Sequence, residues 1–178
     1  MAPLSSSVRP CLSLMWAVSV SLTMPRQRLR RGFSYGIGAT IAMSIPMLLA
    51  TVTGTSPMPQ PIPKAVAGQL LGSGVPKPLL MALAIGLHLG YGGLFGAVLV
   101  RVAHPVTIWK GLGLGVVLWA LMQVTFLPFL GWGVFGTAIT PKIAVATFVL
   151  HLVYGGVLGW TLDRDTSLTS GEPATTAD

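Results

Sequence analysis

Four long apolar runs dominate the pattern of hydrophobic and polar positions along this chain. An α-helix needs about 20 apolar residues to cross the hydrocarbon core of a bilayer, and each run is long enough. The pattern predicts membrane-spanning helices over residues 34–53, 79–103, 108–130 and 143–162. The expected fold class is therefore all-α, a four-helix transmembrane bundle.

The second and fourth runs carry the same motif. The first copy consists of Pro78, His88, Leu89, Tyr91, Gly92, Gly93, Gly96 and Arg101. The second copy consists of Pro141, His151, Leu152, Tyr154, Gly155, Gly156, Gly159 and Arg164, each 63 residues further on. Spaced identities at one fixed separation indicate an internal duplication. Because each half would contribute two helices, the halves are expected to be parallel helical-hairpin repeats.

The first and third runs correspond less clearly. Superimposing Gly32 on Gly111 also places Gly36 on Gly115, whereas superimposing Pro46 on Pro128 needs a shift of three residues. Both pairings stay open at the level of the sequence. Either one places the extra residues of the first half in its external loop.

Composition and charge agree with a membrane protein. Only 8% of the residues are charged, against about 25% in a soluble domain. The formal charge of +7 comes from basic residues that flank the apolar runs, so we expect no nucleic-acid partner. One side carries Arg26, Arg28, Arg30, Arg31, Arg101, Lys110 and Arg164, and the other carries Lys64, Lys77 and Lys142. The positive-inside rule then predicts a multi-pass protein of the cytoplasmic membrane with both termini cytoplasmic.

The chain lacks the residues that several kinds of chemistry require. Cys11 is the only cysteine, which excludes disulfide scaffolds, Cys-x-x-Cys redox chemistry and thiolate metal clusters. The four acidic residues are Asp163, Asp165, Glu172 and Asp178, so no carboxylate lies inside the apolar runs to carry a proton. We therefore expect that the protein is not an enzyme.

The chain outside the four runs divides into three parts. Residues 1–23 are expected to be a disordered leader or a mis-assigned upstream extension, because the arginine cluster that follows opposes translocation. Met24 would then be the natural start of a membrane domain over residues 24–164. Residues 165–178 are expected to form a disordered cytoplasmic tail.

The first external loop, Gly54 to Lys77, is rich in proline. Its middle, Ala65 to Leu71, is compatible with a short helix that lies on the membrane surface. A polyproline linker explains the same composition equally well.

His88 and His151 are the strongest candidates for chemistry. Each lies ten residues after the proline that opens its helix, about 15 Å into a hydrocarbon core roughly 30 Å thick. Tyr91 and Tyr154 share the histidines' helical face, and Gln123 is expected at a similar depth. A structural role, with neutral imidazoles hydrogen-bonded across the bundle, competes with a ligand site. The neighbouring Gly92, Gly96, Gly155 and Gly159 form Gly-x-x-x-Gly pairs that predict close helix packing.

Three ligands would suit the two histidines. A b-type haem would use both as axial ligands. A soft metal ion would add the thioethers of Met43, Met47 and Met122. A small solute would use Gln123, the histidines and the tyrosines as oriented polar groups. We expect no cofactor, and the identity of any metal stays unknown.

The run from Lys110 to Arg164, "KGLGLGVVLWALMQVTFLPFLGWGVFG" followed by "HLVYGGVLG", resembles a family of small four-helix integral membrane proteins of unknown function from bacteria and archaea. The resemblance implies a cytoplasmic-membrane protein with the hairpin repeat, and it supplies no substrate. We expect an uncharacterised, non-enzymatic membrane component or accessory protein. The alternative is a small transporter or a haem- or metal-binding subunit centred on the histidine pair. Its partners would be the lipid bilayer and either a second copy or a larger membrane protein.

Overall fold

The computed structural model describes residues 26–72 and 74–165. In these ranges the chain forms five helices and no strand: α1 (Arg26–Val52), α2 (Ile62–Leu71), α3 (Lys77–Val102), α4 (Ile108–Phe129) and α5 (Lys142–Arg164). All except α2 are long and apolar enough to cross a membrane, which indicates a membrane protein. The leader predicted for residues 1–23, and all but the first residue of the predicted tail, lie outside the described residues.

The helix ends follow the apolar runs closely, with one exception. Helices α3, α4 and α5 begin and end within two residues of the predicted limits. Helix α1 begins at Arg26, eight residues before the predicted start. Arginine has a high helix propensity, and its long side chain tolerates solvent, so the basic cluster continues the helix rather than preceding it.

Two helical hairpins are held together by glycine contacts. In the first, α1 lies against α3, and a Cβ atom added at Gly96 would come within 2.8 Å of the Gly36 Cα. In the second, α4 lies against α5, and a Cβ atom added at Gly159 would come within 2.8 Å of the Ile108 Cα. Gly92, Gly96, Gly155 and Gly159 are all buried in these two contacts. Backbones that touch in this way gain packing that the apolar bilayer cannot supply.

Helices α1 and α5 join the two hairpins. Their buried side chains form one core with residues of α3 and α4; its members include Ala39, Met43, Leu99, Val100, Leu118, Tyr154, Leu158 and Leu162. At one end of the bundle, both oxygens of the Asp165 carboxylate accept hydrogen bonds of 3.0 Å from Arg31 Nη1. The Tyr35 hydroxyl donates to the same carboxylate at 3.0 Å. The start of α1 is thereby tied to the end of α5.

Helix α2 covers the opposite end of the bundle. Met58 and Ala65 pack there with Leu127, Trp132 and Ile143 in a second buried cluster. The middle of the proline-rich loop is thus a helix, and it begins at Ile62, three residues before the predicted start. Its position on the membrane surface stays a prediction, while its packing against the bundle places it over the interior.

Candidate functional site

A cavity of about 300 Å³ lies between the helices beneath α2, and it is partly open, because the lining residues Leu70 and Leu87 are exposed. All five helices contribute to its wall. Helix α2 supplies the apolar residues Ile62, Pro63, Val66 and Leu70. The polar side chains in the wall belong to Thr40, His88, Tyr91, Thr147, His151 and Tyr154. Both histidines and both tyrosines of the repeated motif therefore face one shared space.

The two histidines differ in their hydrogen bonding. His151 Nδ1 lies 2.8 Å from the carbonyl oxygen of Thr147, which can only accept, so Nδ1 carries the proton. The other nitrogen of that ring, Nε2, then keeps a lone pair. His88 Nε2 is buried and has no hydrogen-bond partner among the described residues. Equal positions in the sequence motif thus have unequal environments.

The two tyrosines also differ. The hydroxyl of Tyr154 is buried and donates a 2.7 Å hydrogen bond to the carbonyl oxygen of Gly92, which joins α5 to α3. Tyr91 instead forms an aromatic wall, with its ring centroid 4.7 Å from that of Phe95 and 6.1 Å from that of Phe126. Tyr154 therefore holds the hairpins together, whereas Tyr91 shapes the cavity.

Gln123 lies behind the cavity wall rather than in it. Its side chain is fully buried, and its Nε2 donates to the Thr147 hydroxyl at 2.9 Å. That hydroxyl donates in turn to the carbonyl oxygen of Ile143 at 2.7 Å. Gln123 thus acts on the cavity through Thr147, whose carbonyl orients the imidazole of His151.

A π-helical turn over Met122–Phe126 places Gln123 in that position. The turn is closed by a bond from the Leu127 N–H to the Met122 carbonyl, just before Pro128. One extra residue in the turn rotates the helix, so the consecutive residues Met122 and Gln123 are both buried. Pro128 in the apolar run was the sequence signal for irregular backbone here.

Four methionines complete the wall. Met43 and Met47 lie one turn apart on α1, Met122 belongs to α4, and Met58 precedes α2. The structure brings together the three methionines named from the sequence. Met58 was missed because it lies in an irregular loop, where no helical spacing relates it to the histidines. Thr147 was missed as well, although it lies four residues before His151 on the same helical face.

His104 lies apart from the cavity, in the turn between α3 and α4. Its Nδ1 is 3.4 Å from Arg28 Nη2 at the end of the bundle opposite α2. Burial lowers the pKa of His104 below its ordinary value, and the nearby positive charges of Arg28 and Lys110 lower it further. His104 therefore belongs to the charged end of the protein.

The cavity offers neutral groups to a ligand: imidazoles, phenols, hydroxyls and thioethers. In the part of the chain that the structure describes, no three residues of the types His, Cys, Asp and Glu come together as a metal site. A metal ion held here would need thioether ligands in addition to the two imidazoles.

A family model described as a family of unknown function, DUF6789, matches residues 26–172. The matched region contains every residue of the cavity wall and both copies of the histidine motif. This match fits the resemblance to an uncharacterised family. No curated protein and no solved structure matches the chain.

Proposed function

The chain belongs to the DUF6789 family, and since that family has no known activity, we propose a function from the cavity itself. The protein is a non-enzymatic, multi-pass membrane component that binds one small ligand between its two hairpins. The observation that carries this proposal is the buried Nε2 atom of His88, a residue of the cavity wall, which has no hydrogen-bond partner among the described residues.

An unpaired polar atom is costly in such a place. A buried donor or acceptor without a partner destabilises a protein by about 1–3 kcal/mol. A ligand in the cavity would supply the missing partner. The volume of about 300 Å³ lies at the lower end of the range of small-molecule sites. An apolar wall with a few oriented polar groups is also typical of such sites.

The proposed arrangement in the membrane follows from charge and packing. The ion pair of Arg31 with Asp165 places the start of α1 and the end of α5 together, at the end richest in cations. The positive-inside rule favours the cytoplasmic side of the cell membrane for that end. The parallel hairpin repeat is supported by the glycine contacts, since Gly32 and Gly36 pack against α3 as Gly111 and Gly115 pack against α5.

A small transporter is the second candidate. The cavity lies between two hairpins that a parallel repeat would relate by an axis along the membrane normal, and some transporters place their substrate sites at such an interface. The outer surface is apolar, with Ile45, Leu49, Val117 and Val145 exposed, so its partners would be lipid and either a second copy or a larger membrane protein. Flux into proteoliposomes would distinguish transport from binding.

The binding proposal is tested by identifying the small molecules or ions that co-purify with the protein. We expect organic extraction and metal analysis of the chain, purified in mild detergent, to find one ligand per chain. Val66→Phe, which fills the cavity from α2, should remove it. The matched control is Val145→Phe, because Val145 is exposed on the outer face, and this variant should keep the ligand. A wild type without any ligand, or a ligand that Val66→Phe retains, would overturn the proposal.

A further inference from the structure

Soft ligand atoms are concentrated around the cavity. Five methionines lie in the ranges that the structure describes, and four of them line this one space. The fifth, Met81, is 46% exposed on the outside of α3. Two of the three histidines line the same space, so six of the eight thioether and imidazole groups in these ranges converge on it.

From this convergence we infer that the cavity is a binding site for one Cu(I) ion, held by the imidazoles of His88 and His151 together with methionine thioethers. The inference rests on the proposed ligand-binding function and names its ligand. Thioether sulfur is a soft donor that selects Cu(I), and imidazole is also a copper ligand.

The donor residues come from four different helices and from the loop before α2. Met43 and Met47 come from α1, while His88 and His151 come from α3 and α5. Met122 belongs to α4, and Met58 lies before α2. Methionine has three rotatable bonds, so its sulfur can reach an ion from several backbone positions.

The imidazole of His151 has the hydrogen bond that is typical of a metal-binding histidine. A histidine that binds a metal through one nitrogen usually donates the other N–H to a carbonyl or a carboxylate, which fixes the ring and its tautomer. The bond from His151 Nδ1 to the Thr147 carbonyl does this, and it leaves Nε2 as the ligand atom. Gln123 holds Thr147 from behind through its own hydrogen bond. The unpartnered Nε2 of His88 is the second imidazole ligand.

Charge favours a monovalent ion. No Asp, Glu, Lys or Arg side chain belongs to the described wall of the cavity. A divalent cation would therefore be buried without a compensating charge, which is costly in a low-dielectric interior. Cu(I) carries half that charge and prefers neutral soft donors.

The inference is tested by titrating the full chain with Cu(I) under anaerobic conditions, against the Cu(I) chelator bathocuproine disulfonate. We expect one Cu(I) per chain, and X-ray absorption of that complex should show both sulfur and nitrogen ligands. His88→Leu, Met43→Leu and Met122→Leu should each weaken binding by about tenfold or more. Leu has nearly the volume of Met, so the methionine variants should fold, which thermal unfolding checks.

Met81→Leu and His104→Gln are the matched controls, because both residues lie outside the cavity and should bind Cu(I) as the wild type does. Equal affinity in the wild type and all three cavity variants would overturn the inference, as would no binding in the wild type. An organic ligand found at one per chain, without copper binding, would overturn the copper site and leave the binding function standing. A wild type that holds no organic ligand and binds no Cu(I) would overturn both the copper site and the proposed binding function.

Discussion

At the scale of single residues, the unequal partners of the two histidines predict opposite effects on stability. His88→Leu removes an Nε2 atom that is buried without a partner, so we expect the copper-free protein to gain about 1 kcal/mol in free energy of unfolding. His151→Leu removes a bond to the Thr147 carbonyl and should cost about 0.5–1 kcal/mol. Denaturant titration in detergent micelles measures both.

Variants of the same two histidines also distinguish an effect on stability from an effect on Cu(I) binding. A residue kept for a ligand often destabilises the empty protein, so His88→Leu should stabilise the chain while it weakens Cu(I) binding. His151→Asn is the control, because its side-chain amide nitrogen takes the position of Nδ1 and can still donate to the Thr147 carbonyl. A large loss of stability in His88→Leu would show that the imidazole has a structural role, which is the competing explanation of the repeated motif.

The sequence predicts the candidate residues better than their roles. Helical spacing from Pro78 and Pro141 placed the histidines at one depth, and both line the cavity. Helical spacing could not show that Gln123 forms a hydrogen bond with Thr147 behind the cavity wall. The π-helical turn before Pro128 changes which residues of α4 face the interior. Helical spacing also could not find Met58, whose position depends on how the loop folds over the bundle. From the sequence we expected no cofactor. The four methionines in the cavity wall are the observation that favours a copper ion.

At the scale of helices, the glycine contacts predict two opposite responses to the same substitution. In Gly155→Ala, the new Cβ would lie 3.0 Å from the Gly111 carbonyl carbon and 3.1 Å from the Leu112 Cα, so the helices must separate. We expect a loss of about 1–3 kcal/mol, as for other overpacked sites. Thermal unfolding of the detergent-solubilised protein provides the measurement.

Gly113→Ala is the matched control on α4, because a Cβ there meets nothing within 4 Å. Alanine has the higher helix propensity, so this variant should gain about 0.5–1 kcal/mol. The prediction fails if both alanine variants shift the melting temperature in the same direction.

Long helices could be predicted from the sequence because apolar length alone determines them in a bilayer. Helix α2 could not be assigned in this way. Ten residues form a marginal helix in isolation, and tertiary contacts decide whether it persists. The burial of Ala65 and Ala67 against the bundle provides those contacts. The proline-rich sequence before these residues does not indicate that they are buried.

At the scale of the whole molecule, the Arg31–Asp165 pair closes the bundle between its first and last described helices. The Asp165 side chain is 8% exposed, and that of Arg31 is 37% exposed, so the pair is partly screened by solvent. We expect Asp165→Asn to lower the free energy of unfolding by about 1 kcal/mol. Tyr35→Phe, which removes one hydrogen bond to the same carboxylate, should cost less. Equal stability of Asp165→Asn and wild type would show that the pair is not needed to join α1 to α5.

The orientation of the whole bundle is predicted by its cations. Seven Lys and Arg residues lie toward the end that holds the termini of the described chain, and three lie toward the end covered by α2. An alkaline phosphatase reporter, active only outside the cytoplasm, should be active when fused at Gln60 and inactive when fused after Asp178.

Charge removal tests the cause of this orientation. Replacing both Arg26 and Arg30 by Gln removes exposed cations from the start of α1, so some chains should insert in the reverse orientation and the Asp178 fusion should gain activity. Lys77→Gln is the control, since removing a cation from the opposite end strengthens the asymmetry and should leave both fusions unchanged. An active Asp178 fusion together with an inactive Gln60 fusion in the wild type would refute the orientation. The end of the bundle that Gln60 marks, which α2 covers, would then face the cytoplasm.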